Sequence, residues 1–201
     1  MTILMRRYLL ALVAVFAAGQ AVAASQSEWN TETLMLALAE VKEAELTFVE
    51  HRSSSFLIDQ LKLTGTMRYL APDFIEKSVQ TPFVEHIKID GDRLSIETIS
   101  DRGDSKVQTY SLTSNAVLHT TVEGIRATLS GNLAVLAESY EIELSGNMSD
   151  WSVLLTPKNE EMRGHIEKIT VSGSESQIKV IETFDADGDE SRLDLSYQTI
   201  K

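Results

Sequence analysis

Apolar and polar residues alternate in short runs through most of this chain, and that two-residue period limits its possible folds more than any other feature. Leu61, Leu63, Met67 and Tyr69 alternate with Lys62, Thr64, Thr66 and Arg68. Successive side chains of a strand face opposite ways, so this segment reads as a strand with one wet face. Ile87 and Ile89 lead into Asp90-Gly91, and Leu94 and Ile96 lead out of it, the composition of a tight hairpin. The pattern continues in Ile142 and Leu144, Val153 and Leu155, Ile169 and Val171, Ile178 and Val180, and Leu193, Leu195 and Tyr197. Turns are expected at Ser172-Gly173 and Asp187-Gly188, and roughly ten strands in all.

Helical spacing interrupts this pattern in two main places. Asn30 can cap a first helix with Glu32 in its opening turn, and Leu34, Leu38, Val41 and Leu46 mark an apolar face. In mid-chain, Leu118, Val122, Ile125 and Leu129 fall at i, i+4, i+7 and i+11, one stripe of a helix. Ser130-Gly131 breaks it, and a second short helix runs through Leu133 and Leu136 to Tyr140. Thr156-Pro157 is expected to cap one or two further turns that stop near Gly164. A large sheet with one apolar face must curl, and the helices are the only candidates to cover its concave side. The fold class is therefore mainly β with helical additions. Such a lidded sheet either packs solid or encloses an apolar cavity, and periodicity does not choose between the two.

The N-terminus sets the expected compartment. Arg6 and Arg7 precede a short apolar run that ends in Ala21-Val22-Ala23, a charged region, an apolar region and an A-x-A cleavage site. Residues 1–23 are read as a secretory signal, because the run breaks at Gly19-Gln20, well short of the roughly 20 residues of a membrane span. Residues 24–201 are enough for a single domain with a sizeable core. The chain has no cysteine, so neither an N-terminal lipid nor a disulfide is available and the core must suffice alone. Residues 1–23 hold two of the 18 Lys and Arg and none of the 30 Asp and Glu, leaving a net charge of −14 on the remainder. That surface repels phosphate backbones and anionic headgroups, which argues against nucleic acid as a partner.

Candidate chemistry is sparse. Asp185, Asp187 and Asp189 resemble the start of a calcium loop, but the glycine and glutamate that complete it are replaced by Glu190 and Ser196. The hairpin tip is read as exposed and acidic. His51, His86, His119 and His165 are scattered and form no ligand pairing. No nucleophile elbow, phosphate loop or dinucleotide fingerprint occurs, so no metal site, cofactor or catalytic residue is assigned. Asn147-Met148-Ser149 is read as a turn.

Several strings in order resemble the LolA-like family of periplasmic lipoprotein carriers. They are Val41-Lys42 at the end of the first helix, Thr47-Phe48-Val49-Glu50, Gly65 to Tyr69 followed by Pro72-Asp73, the Asp90 to Leu94 hairpin, and Leu155-Thr156-Pro157-Lys158 after a helical insertion. The resemblance implies a curled antiparallel sheet forming an unclosed β-barrel under a helical lid. It implies a soluble periplasmic monomer whose apolar cavity shields the acyl chains of a lipoprotein or lipid between an inner-membrane exporter and an outer-membrane acceptor. Expected to line that cavity are Leu63, Met67, Leu94, Ile96, Leu118, Val122, Ile125, Val153, Leu155, Ile169 and Val171, each of which is also compatible with ordinary core. Two positions depart from the family: an arginine before the turn proline is Ala71 here, and a following aromatic corresponds to Lys77. A lipid-sensing adaptor on the same architecture and a periplasmic hydrolase with a spatially assembled triad are the competing readings.

Overall fold

The computed structural model describes residues 29–54 and 59–198, so the expected signal segment lies outside the described residues. Strands β1 (Glu43–Ser53), β2 (Leu61–Leu70), β3 (Phe74–Thr81), β4 (Val84–Asp90), β5 (Arg93–Ile99) and β6 (Ser105–Ser111) form one meander. Strands β7 (Tyr140–Asn147), β8 (Asp150–Pro157), β9 (Ile166–Ser174), β10 (Gln177–Asp185) and β11 (Glu190–Tyr197) form a second. The two meanders join where β1 pairs antiparallel with β11, giving an eleven-stranded sheet ordered β6-β5-β4-β3-β2-β1-β11-β10-β9-β8-β7. Its two edges do not pair with each other, so the curled sheet is an unclosed barrel.

Topology accounts for the lid. The edge strands β6 and β7 are consecutive along the chain, so the segment between them must travel from one edge of the sheet to the other. It does so as α2 (Ala116–Leu129) and α3 (Leu133–Ser139), preceded by a 3₁₀ turn at Leu112–Ser114. Helix α1 (Thr31–Ala39) begins as expected, with the Asn30 side chain accepting from the Thr33 backbone N–H at 2.9 Å. Its buried face is Leu34, Met35 and Leu38, and it ends before Val41; Leu46 belongs to β1. Among the described residues no helix is long and apolar enough to cross a membrane.

The core is uneven. Leu34, Met35 and Leu38 of α1, Leu136 of α3 and Tyr140 join Trp151, Val153, Leu155, Ile169 and Val171 in one densely buried cluster. A second, smaller cluster of Leu94, Leu112 and Val122 lies under the first half of α2. Helix α2 lies closest to α3, to the 3₁₀ turn and to α1, rather than to any strand. On that side Gly124 lies so near Tyr140 that a Cβ would sit 2.7 Å from the ring. The other side of α2 faces the sheet across a gap.

Local corrections have physical causes. Pro157 closes the β7–β8 ladder opposite Tyr140 rather than opening a helix. The short α4 (Glu160–Arg163) is capped instead by Asn159, whose side chain accepts from the Glu161 N–H. Ser172-Gly173 lies inside β9; the turn comes at Glu175, which adopts the left-handed region at φ 53°. Glycine is needed at 173 because a Cβ there would stand 2.1 Å from the Gln177 carbonyl oxygen and 2.6 Å from the Trp151 ring.

Candidate functional site

The gap under α2 is an apolar cavity of about 210 Å³. Its floor is the concave face of the sheet, reached by the inward alternation of each strand: Leu46 on β1, Met67 and Tyr69 on β2, Ile75 on β3, Ile87 and Ile89 on β4, Ile181 on β10, and Leu193 and Leu195 on β11. Its roof is the Val122, Ile125 and Leu129 stripe of α2. Val122 is buried, while Ile125 and Leu129 are only half-buried, as expected of side chains that face a void.

Met67, Val122 and Ile125 of the expected lining border this cavity. Leu63, Val153, Leu155, Ile169 and Val171 lie in the dense core, at most 1% exposed. Leu94 belongs to the smaller cluster, with Ile96 and Leu118 packed against it. Leu118 also borders a wide groove of about 1110 Å³ at the mouth of the barrel. That groove runs past Asn115, the cap of α2, and Thr121 to Asp185, Asp187 and Asp189 of the β10–β11 hairpin. Glu50, Thr183 and Ser191 border both spaces, so the apolar cavity and the wider groove meet at these polar residues.

Glu50 was not expected in a site. It is 4% exposed, in phase with Leu46 and Phe48 on the inward face of β1. Its carboxylate accepts from Arg52 Nε at 2.8 Å and from Ser191 Oγ at 2.9 Å, and it is ion-paired with Lys77. Burial pushes the Glu50 carboxyl up, but the Lys77 and Arg52 charges outweigh it and hold the group below its ordinary range. Burial dominates at Lys77 and pulls the ammonium below its ordinary value despite Glu50. The register explains the reach between them. Lys77 pairs with Met67, Glu50 with Leu63, and the intervening inward row is Phe48 and Gly65, with the Lys77 Nζ 4.9 Å from the centre of the Phe48 ring. The signal was present in sequence: Ile75-Lys77-Val79 and Leu46-Phe48-Glu50 each set one charge in phase with apolar residues.

The lid is latched to the rim by Arg126, which is 7% exposed. Its guanidinium donates to the Asp73 carbonyl (Nε, 3.2 Å) and to the Gly91 carbonyl (Nη2, 2.9 Å), binding α2 to the β2–β3 and β4–β5 turns together. A second tie is the Tyr140 hydroxyl, which donates to the Thr120 carbonyl at 3.1 Å; burial pushes this phenol up to about 12. Arg126 thus reaches, from the helix, the turn that holds Ala71, Pro72 and Asp73. Arg126→Met keeps the apolar stem and removes every donor, leaving both turn carbonyls to water. A loss of about 1–3 kcal/mol is expected. Amide exchange of α2 should accelerate while exchange in β8 and β9 is unchanged. Equal acceleration in lid and sheet would show that Arg126 supports the whole fold instead.

The family model described as outer membrane lipoprotein carrier protein LolA-like matches residues 23–198. The chain belongs to this LolA-like family. Two solved structures are among those to which the chain is similar. A LolA superfamily protein from Nitrosomonas europaea is 10% identical, with a TM-score of 0.42, over 86% of this chain and 96% of that one. A chain of the Pseudomonas aeruginosa MucA/MucB complex is 13% identical, with a TM-score of 0.42, over 85% of this chain and 58% of that one. A search of curated proteins returns no match. Membership in the LolA-like family accords with the unclosed barrel, the helical lid and the apolar space between them.

Proposed function

We propose that this LolA-like protein is a periplasmic carrier that shields the acyl chains of a lipoprotein or lipid and ferries it from the inner towards the outer membrane. The observation that supports this most is the apolar cavity between the half-buried stripe of α2 and the concave sheet. Each buried CH₂ contributes about 0.8 kcal/mol, so one or two acyl chains suffice for firm retention. At about 210 Å³ the cavity falls short of the roughly 300–1,000 Å³ of ordinary small-molecule sites. Cargo must therefore lift α2 from the sheet, and Val122, Ile125 and Leu129 compete with acyl chains for the same apolar surface. The groove past Leu118 is the entry route, and the acidic exterior keeps the loaded carrier apart from anionic headgroups. Residues 1–23 act as the export signal, and an inner-membrane exporter and an outer-membrane acceptor hand the cargo on and off.

Native mass spectrometry of the protein purified from its own periplasm tests this reading. A co-purified acylated species that dissociates on activation is the expected result. A ligand-free mass, together with no saturable binding of a long-chain fluorescent fatty acid, would overturn it.

A further inference from the structure

Two side chains on the cavity wall carry hydrogen-bond donors that a purely hydrocarbon ligand would leave unused. Lys77, on the cavity wall, makes its one hydrogen bond among the described residues to Glu50, yet an ammonium carries three donors. Glu50 does not depend on it alone, since Arg52 and Ser191 also donate to the same carboxylate. Tyr69 borders the same cavity at 3% exposure, and its hydroxyl has no partner among the described residues. A buried donor without an acceptor, as at the Tyr69 hydroxyl, is uncommon and calls for an explanation. Both residues point from adjacent inward rows, since Tyr69 pairs with Ile75 and Met67 with Lys77. Such donors want oxygen acceptors, and a lipid bears them at the root of its acyl chains.

We propose that Lys77, with Tyr69 as a second donor, recognises acyl carbonyl oxygens, so that the cavity selects ester- or amide-linked acyl lipids over bare alkyl chains. This rests on the acyl-carrier reading and names the chemistry it selects. Lys77 lies beside the polar end of the cavity, where Glu50, Thr183 and Ser191 adjoin the groove. A lipid held there places its carbonyl root at the junction, its chains under α2 and its headgroup in the groove. The carbonyl takes the spare Lys77 donors without disturbing the Glu50 pair.

The test is displacement of a fluorescent fatty acid by a diacylglycerol and by its dialkyl ether analogue, which keeps the chains and lacks both carbonyls. Wild type should bind the ester about tenfold more tightly than the ether. Lys77→Met should bring the ester and ether affinities to within a factor of a few of each other, Lys77→Arg should restore the difference, and Tyr69→Phe should lose a smaller share. If Lys77→Met fails to fold around an unpaired Glu50, the double variant Glu50→Gln/Lys77→Met removes the stranded charge and serves the same comparison. A palmitate arm separates the two sources of an acyl oxygen. Palmitate bound more tightly than the diester, with the excess lost in Lys77→Met, supports the same acceptor chemistry with a free fatty acid as its source. Equal binding of ester and ether by wild type, or an ester preference intact in Lys77→Met, overturns the inference and leaves the carrier reading standing. An intact preference in Tyr69→Phe removes Tyr69 from it. Failure to bind any of the three lipids overturns the carrier reading itself.

Discussion

Ile125→Asp should abolish acyl binding while the eleven-stranded sheet stays folded, whereas Val153→Asp should unfold the protein. Both place a carboxylate among apolar side chains, but the surroundings differ. Val153 is fully buried in the dense cluster beneath α1 and α3, where no water can reach a charge. An unpaired ion there costs several kcal/mol, comparable to the 5–15 kcal/mol that holds a typical domain together. Ile125 is half-buried and borders a 210 Å³ void, with room for several waters at about 30 Å³ each. Water entering the void solvates the new carboxylate, and α2 remains anchored on its other side by Gly124 against Tyr140. The same water and charge exclude hydrocarbon, so affinity for a long-chain acyl probe should fall about a hundredfold or more. Circular dichroism and probe fluorescence on the two variants check this. Unfolding of Ile125→Asp to the same degree as Val153→Asp would mean that α2 completes a solid core.

Gly65→Ala is expected to cost about 3 kcal/mol or more, a large effect for the addition of one methyl group. Gly65 lies in β2 opposite Phe48 on one side and Val79 on the other, beside a register shift at Thr64. A Cβ there would stand 1.9 Å from the Ser78 carbonyl oxygen and 2.9 Å from the Phe48 ring. The first contact is with backbone, which cannot rotate away, so the β2–β3 ladder must part. The second pushes on the ring over which the Lys77 ammonium lies on its way to Glu50. Thermal unfolding should show a midpoint lower by many degrees, and the ester preference should weaken in whatever fraction folds. A midpoint within a degree or two of wild type would mean that the strands at this bulge separate at little cost.

Much of this architecture was legible in the chain itself. Alternation in Leu61 to Tyr69 and around Asp90-Gly91 gave strands and a hairpin where they stand, because the side-chain period of a strand is a local property. The stripe Leu118, Val122, Ile125 and Leu129 gave α2 for the same reason. Turn chemistry was less secure. Pro157 can open a helix or end a ladder, and only pairing with Tyr140 decided for the ladder. The glycine at 173 was read as a turn although the close approach of the Gln177 carbonyl and the Trp151 ring is what requires it.

What the sequence determined by itself is which residues face inward, since phase along a strand or helix follows from covalent geometry. Val153, Leu155, Ile169 and Val171 face inward as surely as Met67 and Ile125 do. Whether an inward residue meets protein or empty space was decided by the tertiary structure alone, because that depends on what the other elements leave uncovered. Helices α1 and α3 close over the sheet in a dense core, while α2, held by Arg126 and Tyr140, leaves a void of about 210 Å³ between its stripe and the strands below it. The meeting of Glu50, Lys77 and Ser191 was decided in the same way. They come from β1, β3 and β11, and no local pattern relates the far end of the chain to its beginning until β11 pairs with β1.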